Sequence, residues 1–163
     1  MPYSYCVDQE PLVSAEEFIA LLDARPMSPP RIAAAQAASP TVWWDVLARY
    51  PDVAVWVAAN RTIPDEIVTH LAVHPRIQVR VAVASNPGLR YELMTQLAHD
   101  KSDLVRMRIA CNARASRGVL SLLTADACVV VSKHAQARVE HDISGVLLPR
   151  SYLDEVSVHD ILH

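Results

Sequence analysis

The side chains best suited to chemistry in this sequence are one indole, three guanidinium groups and one imidazole. They belong to Trp56, Arg80, Arg106, Arg108 and His134. Trp56, Arg108 and His134 share one column, meaning that they occupy equivalent positions in a repeated sequence pattern, and Arg80 and Arg106 share the neighbouring column. Tryptophan and arginine are enriched at the hot spots of protein interfaces. The pattern predicts a binding face on which these five residues are aligned.

The arginine columns also have a structural interpretation. An arginine that recurs once per structural unit can donate charge-assisted hydrogen bonds to the turns of neighbouring units, such as the turn at Asp100. Arg80 and Arg106 would then link units together instead of contacting a partner. The sequence leaves both interpretations open.

Other candidate sites are weaker. Glu66, His70 and His74 are spaced by four residues, as zinc ligands on one helix face can be, but Pro75 predicts that the helix ends there. A solvated helix face is favoured, and no metal, cofactor or small-molecule substrate is expected. No residue has the sequence context of an activated nucleophile, and no glycine-rich phosphate loop is present. The chain is therefore predicted not to be an enzyme, the alternative being a site that forms only in three dimensions.

The columns exist because the stretch from 53 to 130 repeats itself. The segments VAVWVAAN (53–60), VRVAVASN (79–86) and VRMRIACN (105–112) align at one constant offset, and each ends in an asparagine. Such self-similarity is the signature of a stacked repeat array, and here it predicts an all-α solenoid of short helix pairs in units of about 24–26 residues. Asparagine commonly ends helices and bonds in turns, so we favour that role for Asn60, Asn86 and Asn112 over a recognition role.

We predict a single domain over residues 1–163, divided into two caps and an array. The N-terminal cap is 1–30, with a helix opened by a Ser14–Glu17 capping box. The repeats are 31–138, beginning with a helix over 31–38, and the C-terminal cap is 139–163, with a last helix from Ser151. Helices this short are marginal alone, so burial against neighbouring units must stabilise them.

The formal net charge of −3 conceals a segregation of charge along the chain. Residues 76–138 carry ten basic and four acidic side chains, whereas 1–30 and 139–163 each carry a net charge of −4. The basic middle predicts a protein partner with an acidic surface. Nucleic-acid binding is the alternative, favoured by the basic middle and opposed by the acidic ends.

Residues 79–112, VRVAVASNPGLRYELMTQLAHDKSDLVRMRIACN, resemble the leucine-rich repeat variant family, and the resemblance extends over about 31–138. It implies a right-handed superhelix of short α-helices, each paired with a shorter, often 3₁₀, helix. The spacing of Asp100, Val105 and Arg106 is also similar to that of HEAT repeats, in which an aspartate and an arginine link neighbouring units. His74 stands where the preceding unit would need that aspartate. The resemblance implies no general catalytic activity.

One member type of that family carries an iron–sulfur cluster on N-terminal cysteines, but only Cys6 is near this N-terminus, so no cluster is implied. The function expected is that of a non-catalytic protein-interaction module, either a repeat scaffold or an inhibitor of the bacterial immunity type, the latter by analogy alone. Because the sequence has neither a signal peptide nor an apolar run able to span a bilayer, a cytoplasmic location is expected.

Overall fold

The computed structural model describes residues 11–23 and 37–144, with side chains described up to His141. Those residues form nine α-helices and one 3₁₀ helix, without a β-strand, so the fold class is all-α as predicted. None of these helices is both long enough and apolar enough to cross a membrane. The chain divides into two compact units, and the boundary between Val68 and Thr69 falls inside a helix.

The first unit contains three helices, a 3₁₀ turn and the start of a fourth helix. They are α1 (Ala15–Asp23), α2 (Pro40–Arg49), the 3₁₀ turn (Pro51–Val53), α3 (Ala54–Ala59) and α4 (Asp65–Ala72). Its core contains an aromatic contact: the rings of Phe18 and Trp43, both fully buried, meet edge to face with centroids 5.2 Å apart. This contact joins α1 to α2.

Two details near the start of α1 and α2 differ from prediction. The Ser14 hydroxyl accepts the Glu17 amide at 3.3 Å, but the Glu17 carboxylate accepts the amide of Val13, one residue earlier than in a standard capping box. Ala37 and Ala38, the end of the helix predicted over 31–38, are not helical, and the Leu12 amide donates to the Ala37 carbonyl at 2.8 Å. Residues 31–36, like the predicted helix from Ser151, lie outside the described residues.

The second unit is built from the end of α4 and five further helices. These are α5 (Ile77–Ala84), α6 (Tyr91–Leu97), α7 (Asp103–Cys111), α8 (Arg117–Leu123) and α9 (Val129–Ser144). Helix α7 packs against both α5 and α9, and α8 packs against α6. Helices α5 and α6 also pack together, as do α7 and α8. The helices therefore lie in two rows that face each other.

The core of the second unit consists of apolar residues at recurring positions. Val79, Val105 and Val131 have at most 1% of their surface exposed, and so do Val83, Ile109 and Ala135 on the same helices. Leu97 and Leu123 fill the other row and are each 1% exposed. Residues at these positions face inward because side chains four apart lie on one side of a helix. Helix α9 is different in length: it continues for 16 residues, past the boundary predicted at 139.

The burial of Leu97 leads to a stability prediction. We expect Leu97→Ala to lower the free energy of unfolding by about 2–5 kcal/mol, because truncation removes buried methyl groups and leaves a cavity. Leu122→Ala is the matched control, since Leu122 is 45% exposed and its truncation should change stability by no more than about 0.5 kcal/mol. Urea denaturation of both variants measures the difference. Equal losses would contradict this assignment of the core.

Candidate functional site

An ion pair joins Arg80 on α5 to Asp100, which precedes α7. The guanidinium donates from Nε to Asp100 Oδ2 at 2.7 Å and from Nη2 to Oδ1 at 2.9 Å. The two side chains are only 5% and 8% exposed. The same guanidinium donates from Nη1 to the carbonyls of His74 and Pro75 at 2.8 and 3.2 Å. Arg80 therefore ties the turns before α5 and α7 together.

The same arrangement recurs one repeat further along the chain. Arg106 donates to Asp126 from Nε at 2.7 Å and from Nη2 at 2.9 Å, and from Nη1 to the Asp100 carbonyl at 2.8 Å. Its side chain is 16% exposed. Asp100 is thus bonded twice, through its carboxylate to Arg80 and through its carbonyl to Arg106. This is the linking arrangement that the sequence left open for the two arginines.

Each of these turns is also stabilised from within by a side chain that accepts the amide two residues later. Asp100 Oδ1 accepts from Ser102, and Asp126 Oδ1 accepts from Cys128, both at 2.8 Å. At the position equivalent to these aspartates, His74 Nδ1 accepts the Arg76 amide at 3.1 Å. The histidine therefore reproduces the turn bond of the missing aspartate.

Charge pairing sets the protonation of both carboxyls. Hydrogen bonds from the Arg106 guanidinium hold the pKa of Asp126 below its ordinary value, against the opposing effect of burial. For Asp100, burial acts to raise the pKa, but hydrogen bonds from Arg80 and the Ser102 amide outweigh it and the pKa is lowered. Both guanidinium groups have a raised pKa because the carboxylates accept their hydrogen bonds. Both pairs are therefore fully charged near neutral pH.

A second recurring bond supports the helix ends. Asn112 Oδ1 accepts the Arg114 amide, while its Nδ2 donates to the carbonyls of Ala84 and Asn86 at 2.9 and 3.0 Å. Arg138 occupies the asparagine position of the next unit, and its Nη1 donates to the carbonyls of Ala110 and Asn112 at 2.7 and 2.8 Å. The pattern of residue types ends at Arg138, but the pattern of bonds continues.

The five predicted binding residues lie in three separate places in the structure. Arg80 and Arg106 point into the linking turns described above. Arg108 on α7 and His134 on α9 are half-buried; His134 Nε2 is 3.5 Å from Cys111 Sγ, and the charge of Arg108 acts to lower the pKa of that thiol. Trp56 lies on α3 in the first unit and is also half-buried. A binding role for the five residues remains a prediction.

The thiol and imidazole at this place are both held in their neutral forms. Burial raises the pKa of Cys111, although the charges of Arg108 and Arg138 act in the opposite direction. Burial, followed by the charge of Arg138, lowers the pKa of His134. A neutral thiol is a poor nucleophile. The pair is therefore an uncharged polar contact between α7 and α9.

The residues considered for zinc binding do not share one helix. Helix α4 ends at Ala72, so His74 lies in the following turn, with Nδ1 engaged by the Arg76 amide. Across the part of the chain that the structure describes, no three His, Cys, Asp or Glu side chains are grouped closely enough to hold a metal ion.

Sequence reasoning missed Asp126 and the bonding role of Arg138. Asp126 stands at the position of Asp100 in the following repeat, and it carries the turn bond and the arginine bond that Asp100 carries. The spacing alone could have identified it. Arg138 could not be found in this way, because a guanidinium replaces an amide and only the carbonyls it reaches show the equivalence.

No protein-family model, no curated protein and no solved structure matches this chain.

The buried pair and an exposed pair on the same unit allow a matched test. We expect Arg80→Ala to lower the free energy of unfolding by about 3–5 kcal/mol, because the Asp100 charge would remain buried without a partner. Arg90→Ala is the control: its Nε lies 3.9 Å from a Glu92 oxygen, and the side chains are 59% and 76% exposed. Its loss should be under about 1 kcal/mol. Chemical denaturation measures both values, and similar losses would mean that the buried pair is not a structural link.

Stability should also fall on acidification in two stages. Burial lowers the pKa of His74 and His134, so the unfolded state takes up these protons first and stability declines as pH falls below about 6.5. The carboxyl pKa values of Asp100 and Asp126 are lower when folded, so their stabilisation is complete above about pH 3.9 and is lost as pH falls further. Urea denaturation across this range measures both stages. His74→Asn, which keeps a turn acceptor but cannot titrate, should reduce the upper stage to the part that His134 contributes.

Proposed function

We propose that this protein is a non-catalytic protein-binding module built as an α-solenoid. The proposed array covers 31–138 in units of about 24–26 residues and forms a right-handed superhelix like that of the leucine-rich repeat variant family. The recurrence of the arginine–aspartate bond at equivalent positions supports a repeated unit, as do the two rows of helices in the second compact unit. Solenoids present extended surfaces made from aligned columns of residues.

The observation that carries the proposal is the charge exposed by the second unit. Between residues 76 and 138 the exposed basic side chains are Arg76, Arg90, Lys101, Arg114, Arg117 and Lys133, whereas the exposed acidic ones are Glu92 and Asp103. The other two acids in this range, Asp100 and Asp126, are engaged by Arg80 and Arg106. The surface that residues 76–138 expose is therefore basic and suits a partner with an acidic surface.

Exposed apolar side chains favour a protein partner over a nucleic acid. Ile77, Leu104, Val129 and Val130 occupy the first or second positions of α5, α7 and α9, and their exposed fractions range from 39% to 64%. Protein interfaces combine an apolar core with arginine. Contacts to a phosphate backbone come mainly from cationic and polar groups. Nucleic-acid binding remains the alternative, since it would use the same basic side chains.

The proposed binding face is the half-buried part of one repeat column in the second unit, Arg108 on α7 and His134 on α9. Trp56, half-buried on α3 of the first unit, is a separate candidate that rests on its position in the repeat. Arg80 and Arg106 support the face by fixing the turns, and their loss is expected to lower stability before it changes affinity. A scaffold or inhibitor of this kind requires no catalytic group, and we propose the cytoplasm as its location.

Affinity capture with the full chain tests this proposal. We expect the wild-type protein to retain a specific protein partner from its native host, including after nuclease treatment of the lysate. Arg108→Ala combined with His134→Ala should weaken binding of that partner by about 2 kcal/mol or more, the range of hot-spot truncations. Association should slow as salt is added, because steering by the basic surface is screened.

Arg117→Ala is the matched control, because it removes the same charge from an exposed position outside the column. An equal loss of affinity in this variant would show that net charge, rather than the proposed face, governs binding. Loss of all captured material on nuclease treatment would instead support the nucleic-acid alternative.

A further inference from the structure

A pocket of about 330 Å³ opens between the turn that follows α4 and the turn that follows α6. His74 and Pro75 line one side, His99 and Lys101 line the other, and Arg80 and Asp100 also line it. Its volume is at the lower end of the range for small-molecule sites. These residues differ from Arg108 and His134, so the pocket is separate from the proposed protein-binding face.

A buried guanidinium contributes an available donor to this pocket. Arg80 has five N–H groups, and its bonds to Asp100, His74 and Pro75 occupy one on Nε, two on Nη1 and one on Nη2. The second Nη2–H has no acceptor among the described residues. Arg80 is 4% exposed, so this N–H belongs to a side chain that is almost wholly withdrawn from solvent. A buried donor of this kind is stabilised by an acceptor from a ligand or a water molecule.

His74 and Lys101 add further donors to the pocket lining. His74 Nδ1 accepts the Arg76 amide, so the ring proton of the neutral imidazole is on Nε2. Burial and the nearby charge of Arg76 lower the pKa of His74, which keeps this donor form at neutral pH. Lys101 is exposed and carries an ammonium group. His99 donates through Nδ1 to the Thr95 carbonyl, at 2.8 Å, which fixes its ring beside the opening.

The charge balance of the lining is positive. Asp100 is its one acidic member, and both of its oxygens already accept hydrogen bonds, from Arg80 and from the Ser102 amide. The charges of Asp100 and Arg80 balance each other, which leaves that of Lys101 without a counterpart in the lining. A ligand that accepts hydrogen bonds and carries negative charge would complement this set of groups.

The next unit of the chain shows that the fold does not require these polar residues. The ion pair of Arg106 with Asp126 has the same geometry as that of Arg80 with Asp100. The positions equivalent to His99 and Lys101 in that unit are Ala125 and Ala127, and the position equivalent to Gln96 is Leu122. The cationic lining is therefore particular to one turn, whereas the supporting ion pair is shared.

From these observations we propose that the pocket binds a small free oxyanion, recognised through a carboxylate or phosphate group. The Arg80 Nη2–H and the His74 Nε2–H donate to its oxygens from the inner side. Lys101 supplies the compensating charge at the opening, beside His99.

Titration of the full chain with inorganic phosphate, and separately with succinate, at pH 7.5 and constant ionic strength tests this site. The signals of the His74 and His99 rings in NMR spectra report on the pocket directly. We expect saturable shifts of both rings. Lys101→Ala combined with His99→Ala should weaken binding by about tenfold or more, as expected when a charge-assisted hydrogen bond is lost. In that variant the His74 ring is the reporter. Tighter binding of one probe identifies its group as the preferred one.

Lys133→Ala provides the control, since it removes the chain's other lysine from an exposed position on α9. This variant should bind each probe as tightly as the wild type. The alanines at the equivalent turn indicate that the double variant will fold, and Lys101→Gln offers a second test with less loss of side-chain volume. Shifts that do not saturate, or equal weakening by Lys133→Ala, would overturn the proposal. So would undiminished affinity in both Lys101 variants.

Discussion

The second unit depends on a buried charge that cannot be left unpaired. A guanidinium or carboxylate removed from water is tolerated only when its charge and hydrogen-bonding groups are satisfied. Arg80 and Asp100 satisfy each other with two bonds in one plane, and this geometry fixes α5 relative to the turn that opens α7. Arg106 and Asp126 do the same for α7 and α9. The two ion pairs hold α5, α7 and α9 in fixed positions. Buried apolar residues at equivalent positions of these helices can therefore pack against one another.

Helix ends impose the second constraint. The last carbonyls of a helix have no partner within it, so each must be satisfied from elsewhere. Ala84 and Asn86 receive their bonds from Asn112, while Ala110 and Asn112 receive theirs from Arg138. An amide and a guanidinium serve the same purpose because each carries two N–H groups on one nitrogen. A helix end therefore requires an N–H donor that reaches its carbonyls, and either an asparagine or an arginine can supply it.

The sequence correctly predicted features of the fold that recur at a constant interval along the chain. The all-α class and the asparagine turns follow from a hydrophobic and polar pattern that returns at a constant interval, and buried residues such as Leu97 lie at its recurring positions. Prediction was weaker where one residue substitutes for another, as with His74 for an aspartate in its turn and Arg138 for an asparagine. The turn at Asp100 was named as a possible acceptor for arginines such as Arg80, but the sequence could not decide between this linking role and a binding role, because a spacing does not show which way a side chain points. The proposed ligand pocket depends on the second Nη2–H of Arg80, which has no acceptor among the described residues. Only the structure, and not the sequence, can show that such a donor is available.

The turns at Asp100 and Asp126 are supported to different degrees, so the two ends of the second unit are not equivalent. The turn at Asp100 is held from both sides, by Arg80 through the carboxylate and by Arg106 through the carbonyl. At Asp126, the position equivalent to Arg106 is Ser132, whose hydroxyl bonds the Val129 carbonyl within α9. Among the described residues, the turn at Asp126 therefore has an arginine on one side only. Fraying should begin at α9 and proceed toward α5, so that amide hydrogen exchange would be graded along the unit, with the helices nearest Asp100 exchanging last.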